Sequence, residues 1–349
     1  MTRMMAICTL GWDIGGVNTK VSRVSGGFTD GRVLDTRVRP FEVQRDPGAL
    51  VTVLRSLAAQ VGATGDEPHA VTMTAELSQM FRTKREGVAF VLDAVATAFP
   101  GADTYVYTTD ERFVASNDAR RMPLAVAAAN WVATAAIVGR TVTTAVLVDI
   151  GSTTTDVIPV VERRVVARGR TDPARLATAE LLYLGAIRTP VEAIVTAVPI
   201  GTEWVGVSAE GFALSGDVHI WRGTVSPDMY AITSPDGRPA SREYAGERLA
   251  RVVCADRTML DDAAIDAIAD HVAASQIART ATAITRVCEP HPTITTAVVA
   301  GIGAPLAAAA ATRAGLSVRS LADSLGPAAA AAAPSAAVAL LLAEQRANA

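Results

Sequence analysis

Two short stretches of the sequence place a carboxylate, glycine and small polar side chains next to one another. The first reads DIGGVNTK from Asp13, and the second reads DIGSTTTD from Asp149. Glycines at positive φ let backbone N–H groups approach an anion, and hydroxyl, amide and ammonium groups add donors. Both stretches therefore predict phosphate binding, through Gly15, Gly16, Asn18 and Lys20 in the first and Gly151, Ser152, Thr153, Thr154 and Asp156 in the second.

The aspartates that begin these stretches predict a metal ion. A carboxylate beside phosphate would repel it unless a cation lay between them, and Mg²⁺ binds one or two carboxylates together with phosphate oxygens and water. We therefore assign Asp13 and Asp149 as candidate Mg²⁺ ligands. Ordinary tight turns also favour Asp and Gly, but the recurrence of the pattern favours a phosphate clamp divided between two lobes.

The elements that must position these turns also occur twice. Around Asp13, an apolar run, the turn and the segments VNTKVSRV and RVLDTRV predict a three-stranded meander. The same order restarts at Thr144 with TAVLVDI, DVIPVV and RVVARG. We therefore expect an α/β protein with two lobes and duplicated mixed sheets. Lobe I would comprise 1–140 and end in a helix stopped by Gly139; lobe II would comprise 141–329, and a terminal helix at 330–349 would pack on lobe I.

A third loop, in TTAVVAGIGAP, places Gly301 and Gly303 after a predicted buried strand and before a helix. It could receive a nucleotide base and ribose or another part of a substrate. Close packing of the helix on the strand explains the two glycines equally well. No GxxxxGK followed by Ser or Thr occurs, so the chain is not a P-loop protein.

Composition narrows the class of protein further. Half of the 349 residues are hydrophobic and the net charge is −3. These values predict a packed globular fold without a nucleic-acid partner, because binding to a phosphate backbone requires clustered basic residues. Three cysteines without paired spacing predict neither disulfides nor a zinc site, and we expect the cytoplasm. Pro334 interrupts the Ala-rich stretch near the C-terminus, which predicts a buried helix and no membrane span.

The histidines have no spacing typical of metal ligands. We expect surface or structural roles for His69, His271 and His291. The alternation in DVHIW predicts a strand from which His219 could face a pocket.

The three glycine loops, DIGGVNTK, DIGSTTTD and VVAGIGAP, resemble the two phosphate loops and the adenosine loop of the superfamily that contains acetate and sugar kinases, heat-shock chaperones and actin. This resemblance implies a two-lobed, ribonuclease H-like fold. Longer segments resemble the hydantoinase/oxoprolinase branch, and within it proteins of tetrahydromethanopterin-linked one-carbon metabolism. These segments are VTMTAELSQMFRTKREGV, AAANWVATA, RLATAELLYLGAIRTPV and SPDGRPASREYAGERLARVVCAD.

The resemblance implies a transferase of methanofuran biosynthesis. Such an enzyme joins an aminomethyl-furanmethanol diphosphate to the phenol oxygen of γ-glutamyltyramine, or of a tyrosine-derived acceptor, and releases diphosphate. Both substrates are small molecules. The reaction calls for Mg²⁺, whereas ATP is compatible with the loops but not required. Frames of this kind commonly form homodimers.

The resembling segments also contain the catalytic candidates. Glu76 could take the proton of the phenol, whose pKa is ordinarily about 10. Lys84 or Arg85 could hold the diphosphate or a carboxylate of the acceptor, and Arg188 could clamp either group with two hydrogen bonds. An acid at a helix start and a solvated charged pair are the ordinary roles of Glu76 and of Lys84 with Arg85.

Two other functions fit the glycine loops alone. One is an ATP-dependent enzyme, either a small-molecule kinase or an ATPase of the hydantoinase/oxoprolinase type. The other is a nucleotide-sensing regulator or assembly protein, although the sequence contains no DNA-binding motif and no attached partner domain.

Overall fold

The computed structural model describes residues 8–27, 31–230 and 232–348. The chain divides into two compact units. Unit 1 comprises Met1–Ala145, Val160–Asp172 and Leu321–Ala349, and unit 2 comprises Val146–Pro159 and Pro173–Ser320.

The strands and helices alternate along the chain, as is typical of an α/β protein. The strands are β1 (Cys8–Ile14), β2 (Asn18–Ser25), β3 (Arg32–Pro40), β4 (His69–Met73), β5 (Thr104–Tyr107), β6 (Phe113–Ala115), β7 (Ala145–Ile150), β8 (Thr155–Val161), β9 (Arg164–Val165), β10 (Leu181–Leu182), β11 (Ala197–Ile200), β12 (Glu203–Gly206), β13 (Thr296–Ala300) and β14 (Ser317–Ser320). The α-helices are α1 (Leu50–Gln60), α2 (Lys84–Ala98), α3 (Ser116–Arg121), α4 (Pro123–Val126), α5 (Asn130–Thr141), α6 (Asp172–Thr178), α7 (Ser215–Trp221), α8 (Arg242–Arg251), α9 (Asp262–Cys288), α10 (Ala304–Arg313), α11 (Ala322–Leu325), α12 (Pro327–Ala331) and α13 (Ala333–Ala347). Short 3₁₀ turns lie at Pro47–Ala49, Ala75–Leu77, Val191–Ala193 and Pro227–Met229.

Unit 1 is built on a mixed six-stranded sheet in the order β3-β2-β1-β4-β5-β6. The first three strands form the predicted antiparallel meander, and β1 is parallel to β4, with Asp13 opposite Thr72 and Ile14 opposite Met73. Because parallel strands end at the same edge, the turn after β1 and the segment after β4 share one edge of this sheet. Apolar residues of β1, β4, α1 and α2 form the core beneath it.

The terminal helix α13 belongs to unit 1 and packs against β1 and β2. Its Ser335 hydroxyl lies 2.8 Å from the hydroxyl of Ser22 in β2, and its apolar residues from Val338 to Ala343 are buried. In the described part of the chain, no helix has the length and apolar character needed to cross a bilayer.

Unit 2 contains most of a second mixed sheet, in the order β10-β8-β7-β13-β14. β7 is parallel to β13, and β8 is antiparallel to β10. A separate cluster of buried apolar residues joins α7, α8 and α9 to the β11–β12 hairpin. The fold class is thus α/β, with a mixed sheet in each half of the chain.

Two boundaries differ from the sequence prediction. Helix α5 continues past Gly139 to Thr141. The glycine leaves room for a neighbouring segment, since a side chain there would lie 2.6 Å from the Arg163 carbonyl oxygen. The segment 160–172 was expected in lobe II, yet its contacts place it in unit 1. The backbone N–H of Arg163 donates to the Thr143 carbonyl there, at 2.7 Å.

Candidate active site

The first Asp-Ile-Gly turn joins β1 to β2 in unit 1. Gly15 N–H donates to the Asn18 carbonyl at 2.9 Å, and a side chain at Gly15 would lie 2.7 Å from the same oxygen. None of Gly15, Gly16 and Gly151 has a positive φ, so that part of the prediction is wrong. Glycine is required at position 15 because the backbone closes tightly on itself.

Asp13 is buried, and its two carboxylate oxygens differ in environment. Oδ2 accepts a hydrogen bond from Lys20 Nζ at 2.8 Å, whereas Oδ1 has no hydrogen-bond partner among the described residues. Within residues 8–27, 31–230 and 232–348, no group of three or more His, Cys, Asp or Glu side chains could hold a metal ion. A buried carboxylate oxygen without a hydrogen-bond partner, such as Asp13 Oδ1, is a group that could ligate a cation.

The second Asp-Ile-Gly turn joins β7 to β8 in unit 2 and is fixed by a neighbouring segment. The Ser152 carbonyl accepts hydrogen bonds from the N–H groups of Ile187 at 3.1 Å and Arg188 at 2.9 Å. The Gly151 carbonyl accepts from Ala186 N–H at 2.9 Å. The guanidinium of Arg188 reaches the Thr153 hydroxyl at 3.3 Å. The predicted binding residues Gly151–Thr154 and Arg188 therefore lie together.

Asp156, a predicted phosphate-binding residue, takes part in a buried ion pair. Its carboxylate pairs with the buried guanidinium of Arg175, which also donates to the Glu180 carbonyl at 3.1 Å. This ion pair ties β8 to the segment that leads into β10. The ion pair gives Asp156 a structural role in unit 2, and its part in phosphate binding stays a prediction.

The third glycine loop follows β13 at the edge where the parallel β7 also ends. Gly301 has φ +82° and a side chain there would overlap the Asp149 carboxylate. Gly303 N–H donates to the Ile150 carbonyl at 2.9 Å. The sequence left two interpretations of these glycines open, substrate binding and close packing. The structure shows the close packing of this loop on β7.

Glu76 lies in the 3₁₀ turn that follows β4 in unit 1. It is 2 % exposed, and neither carboxylate oxygen has a hydrogen-bond partner within the described residues. Burial raises the pKa of Glu76 to about 7, although the charge of Lys84 opposes this shift. Glu76 does lie in the first turn of this 3₁₀ helix, but it is buried there.

Lys84 and Arg85 begin helix α2 but differ in environment. Lys84 Nζ lies 2.7 Å from Asp172 Oδ2 and 4.0 Å from Glu76 Oε1. Arg85 is exposed. The structure therefore brings Lys84, but not Arg85, into a cluster with Glu76 and Asp172.

Asp172 was not predicted, because it lies 88 positions from Lys84 and no local pattern singles it out. Composition singles out only its partner: of 32 lysine and arginine residues, only Lys20 and Lys84 are lysines. Lysine carries a compact charge that responds to its surroundings, whereas arginine stays charged. Both lysines contact a candidate-site carboxylate.

Two histidines are buried structural groups. His69 is the first residue of β4 and packs with the rings of Trp12 and Phe99. His219 belongs to helix α7 and not to the predicted strand. Its Nε2 lies 2.9 Å from Gln276 Oε1, and its Nδ1 lies 3.2 Å from the Thr224 hydroxyl. Burial lowers the pKa of each histidine to about 4.

Two curated proteins resemble this chain, one over most of its length and the other over about a third of it. A Methanocaldococcus jannaschii protein is 36 % identical over 264 residues, which cover 75 % of this chain and 76 % of the relative. It is named (4-{4-[2-(gamma-L-glutamylamino)ethyl]phenoxymethyl}furan-2-yl)methanamine synthase. A Methanococcus vannielii protein with the same name is 38 % identical over 111 residues, covering 32 % of this chain and 50 % of the relative.

A solved structure of acetone carboxylase in the nucleotide-free state shares the fold. Its TM-score is 0.57 at 12 % identity, over 96 % of this chain and 70 % of that one. The profile of the hydantoinase/oxoprolinase family matches residues 67–345. The chain therefore belongs to the hydantoinase/oxoprolinase family.

Proposed function

We propose that this chain is a synthase that forms the furan–phenol ether named in its curated relatives. The observation that carries the proposal is the 36 % identity to the M. jannaschii synthase over three quarters of the chain. The product in that name contains an aminomethyl-furan, a phenoxymethyl ether and a glutamylaminoethyl group. The substrates proposed here are an aminomethyl-furanmethanol diphosphate and γ-glutamyltyramine, or a tyrosine-derived acceptor, in methanofuran biosynthesis.

The reaction exchanges one carbon–oxygen bond for another. The phenol oxygen attacks the methylene carbon of the furan, and the bond from that carbon to the diphosphate breaks. Diphosphate leaves with the electron pair, and the phenol proton passes to a base. The enzyme must therefore neutralise a leaving anion and accept one proton.

Unit 2 supplies donors for the leaving anion. In the Gly151–Thr154 turn, the guanidinium of Arg188 reaches the Thr153 hydroxyl at 3.3 Å, and the Ser152 hydroxyl lies 3.4 Å from that of Thr153. Because the backbone of this turn is held by N–H groups of residues 186–188, the donors are preorganised. Asp13 and Asp149 would each ligate Mg²⁺, which when bound neutralises developing charge on the diphosphate.

Unit 1 supplies the base. The side chain of Glu76 has no hydrogen-bond partner among the described residues, and a pKa of about 7 makes it a stronger acceptor than an exposed carboxylate. Lys84 is engaged by Asp172. We therefore assign recognition of the acceptor's carboxylate to the exposed Arg85.

One experiment tests the reaction class. The purified protein is incubated with Mg²⁺, the furan diphosphate and γ-glutamyltyramine, and the products are identified by mass spectrometry. A parallel tube contains ATP and the free furan alcohol. Ether in the first tube without ATP is expected. Release of ADP in the second tube alone would replace the synthase with an ATP-dependent kinase or ATPase.

A second experiment tests the metal assignment. Asp13→Ala and Asp149→Ala should each abolish Mg²⁺-dependent binding of inorganic diphosphate in calorimetry, while circular dichroism shows a retained fold. Unchanged binding in either variant would remove that aspartate from the metal site.

A further inference from the structure

We propose that Asp172 is a positioning residue that holds the Lys84 ammonium group away from the Glu76 carboxyl group, so that Glu76 remains a buried proton acceptor without a hydrogen-bonding partner. This inference rests on the proposed function, in which Glu76 is the base.

The distances around Lys84 carry the inference. Nζ lies within hydrogen-bonding distance of Asp172 Oδ2, at 2.7 Å, but 4.0 Å from Glu76 Oε1. A separation of 4.0 Å is too long for a hydrogen bond. The ammonium group therefore lies between two carboxyl groups and is bound to one of them.

Glu76 itself has little freedom to approach the ammonium group. Helix α2 crosses its backbone at Gly87, where an added side chain would lie 2.5 Å from the Glu76 Cα atom. Glu76 as a whole residue is 2 % exposed, so its carboxyl group is buried. The position of Lys84, which Asp172 fixes, thus decides whether Glu76 pairs with the ammonium group.

The charged groups that act on Glu76 oppose one another. Lys84, from α2, lowers the pKa of Glu76, and Asp172, from the start of α6, raises it. The backbone N–H groups of Glu76 itself and of Ala128, after α4, also lower it. Loss of the Asp172 charge would remove one raising influence and release the ammonium group toward Glu76. Both effects lower the pKa of Glu76 and weaken it as a base.

The choice of lysine at position 84 agrees with this role. Arginine supplies almost every other positive charge in the chain, Lys20 being the exception. A guanidinium group presents a broad fork that could bridge both carboxyl groups, whereas an ammonium group is a compact charge that can be directed to one.

The test measures the titration of Glu76 in the full chain. Glutamate is labelled with ¹³C at its carboxyl carbon, and Glu76→Gln identifies the Glu76 resonance by its loss. In Asp172→Asn the titration midpoint should fall by about one pH unit or more, since a closer cation lowers a carboxyl pKa by about 1–3 units. The acidic limb of the pH profile of kcat/KM should move in the same direction. Asp172→Glu keeps a carboxylate at this position, so the Glu76 titration midpoint and the acidic limb of kcat/KM should stay at their wild-type values.

Two further variants separate positioning from a general effect on folding. Asp93→Asn removes an exposed carboxylate that also pairs with an arginine, Arg120, at 2.7 Å, and it should leave the Glu76 midpoint unchanged. In a Lys84→Met background, Asp172→Asn should shift the midpoint less than half as far, because no ammonium group is released.

The inference and the proposed function fail separately. An unchanged or raised Glu76 midpoint in Asp172→Asn would overturn the inference, whatever the turnover. Full turnover in Glu76→Gln would overturn the assignment of Glu76 as the base, whatever the titration shows. An equal shift with and without Lys84 would also overturn the inference.

Discussion

Lys20 Nζ lies 2.8 Å from Asp13 Oδ2, across the antiparallel pair that joins β1 to β2. The two residues face each other in register, so the hairpin itself brings the charges together. The pair partly neutralises the carboxylate that the sequence analysis assigned to Mg²⁺. Asp13 Oδ1 could still ligate a cation, whereas Oδ2 already accepts a hydrogen bond from Lys20.

Removal of the Lys20 charge should destabilise unit 1. In Lys20→Met, Asp13 would keep a buried charge without its ammonium partner, and we expect a loss of about 1–3 kcal/mol in the free energy of unfolding, measured by urea denaturation. The matched control is Arg37→Met, which breaks the exposed pair with Asp35 and should lose less than about 1 kcal/mol. Equal losses in the two variants would contradict a special role for the Lys20–Asp13 pair.

Glu76→Gln should change the pH dependence of stability. Because the folded pKa of Glu76 is raised to about 7, the protonated group contributes stability that is fully present below about pH 4.5 and is lost as the pH rises through 7. The variant does not titrate there, so its stability relative to wild type should increase from pH 5 to pH 8, by at most about 3 kcal/mol. A difference independent of pH would show that Glu76 titrates normally.

Gly185→Ala should disturb the second phosphate turn. A side chain at Gly185 would overlap the Ser152 carbonyl, which accepts two backbone hydrogen bonds in this turn. We expect a loss of about 1–3 kcal/mol in stability and weaker binding of inorganic diphosphate in calorimetry. Gly206→Ala is the matched control, since its side chain would meet nothing within 4 Å. Wild-type diphosphate affinity in Gly185→Ala would remove this turn from the binding site.

His219→Gln should remove a source of acid sensitivity. The folded pKa of His219 is lowered to about 4, so neutral His219 contributes stability that is present above about pH 6.5 and is lost as the pH falls toward 4. The stability of wild type relative to the variant should therefore decrease between pH 7 and pH 4.5 in urea titrations. A constant difference would mean that His219 accepts a proton in the folded state as readily as in the unfolded chain.

Much of the local structure follows from the sequence. Alternating apolar residues and the Asp-Ile-Gly turns predicted the meander around Asp13 and its repeat from Thr144, because strand periodicity and turn chemistry are local properties. Local patterns failed at Gly139 and His219. Gly139 makes room for the Arg163 backbone within α5 and does not end the helix. DVHIW forms a fully buried helix, in which apolar periodicity does not distinguish a helix from a strand.

The residue types of the candidate site were also determined by the sequence: the carboxylates, the glycines and the hydroxyl groups that could hold a phosphate. Their partners were decided by tertiary structure. The contact of Lys84 with Asp172 spans 88 positions, and Asp156, a predicted phosphate ligand, pairs with Arg175. The physical reason is that periodicity and turn preference act over a few residues, whereas the charge state of Glu76 depends on burial and on groups that only the folded chain brings near it.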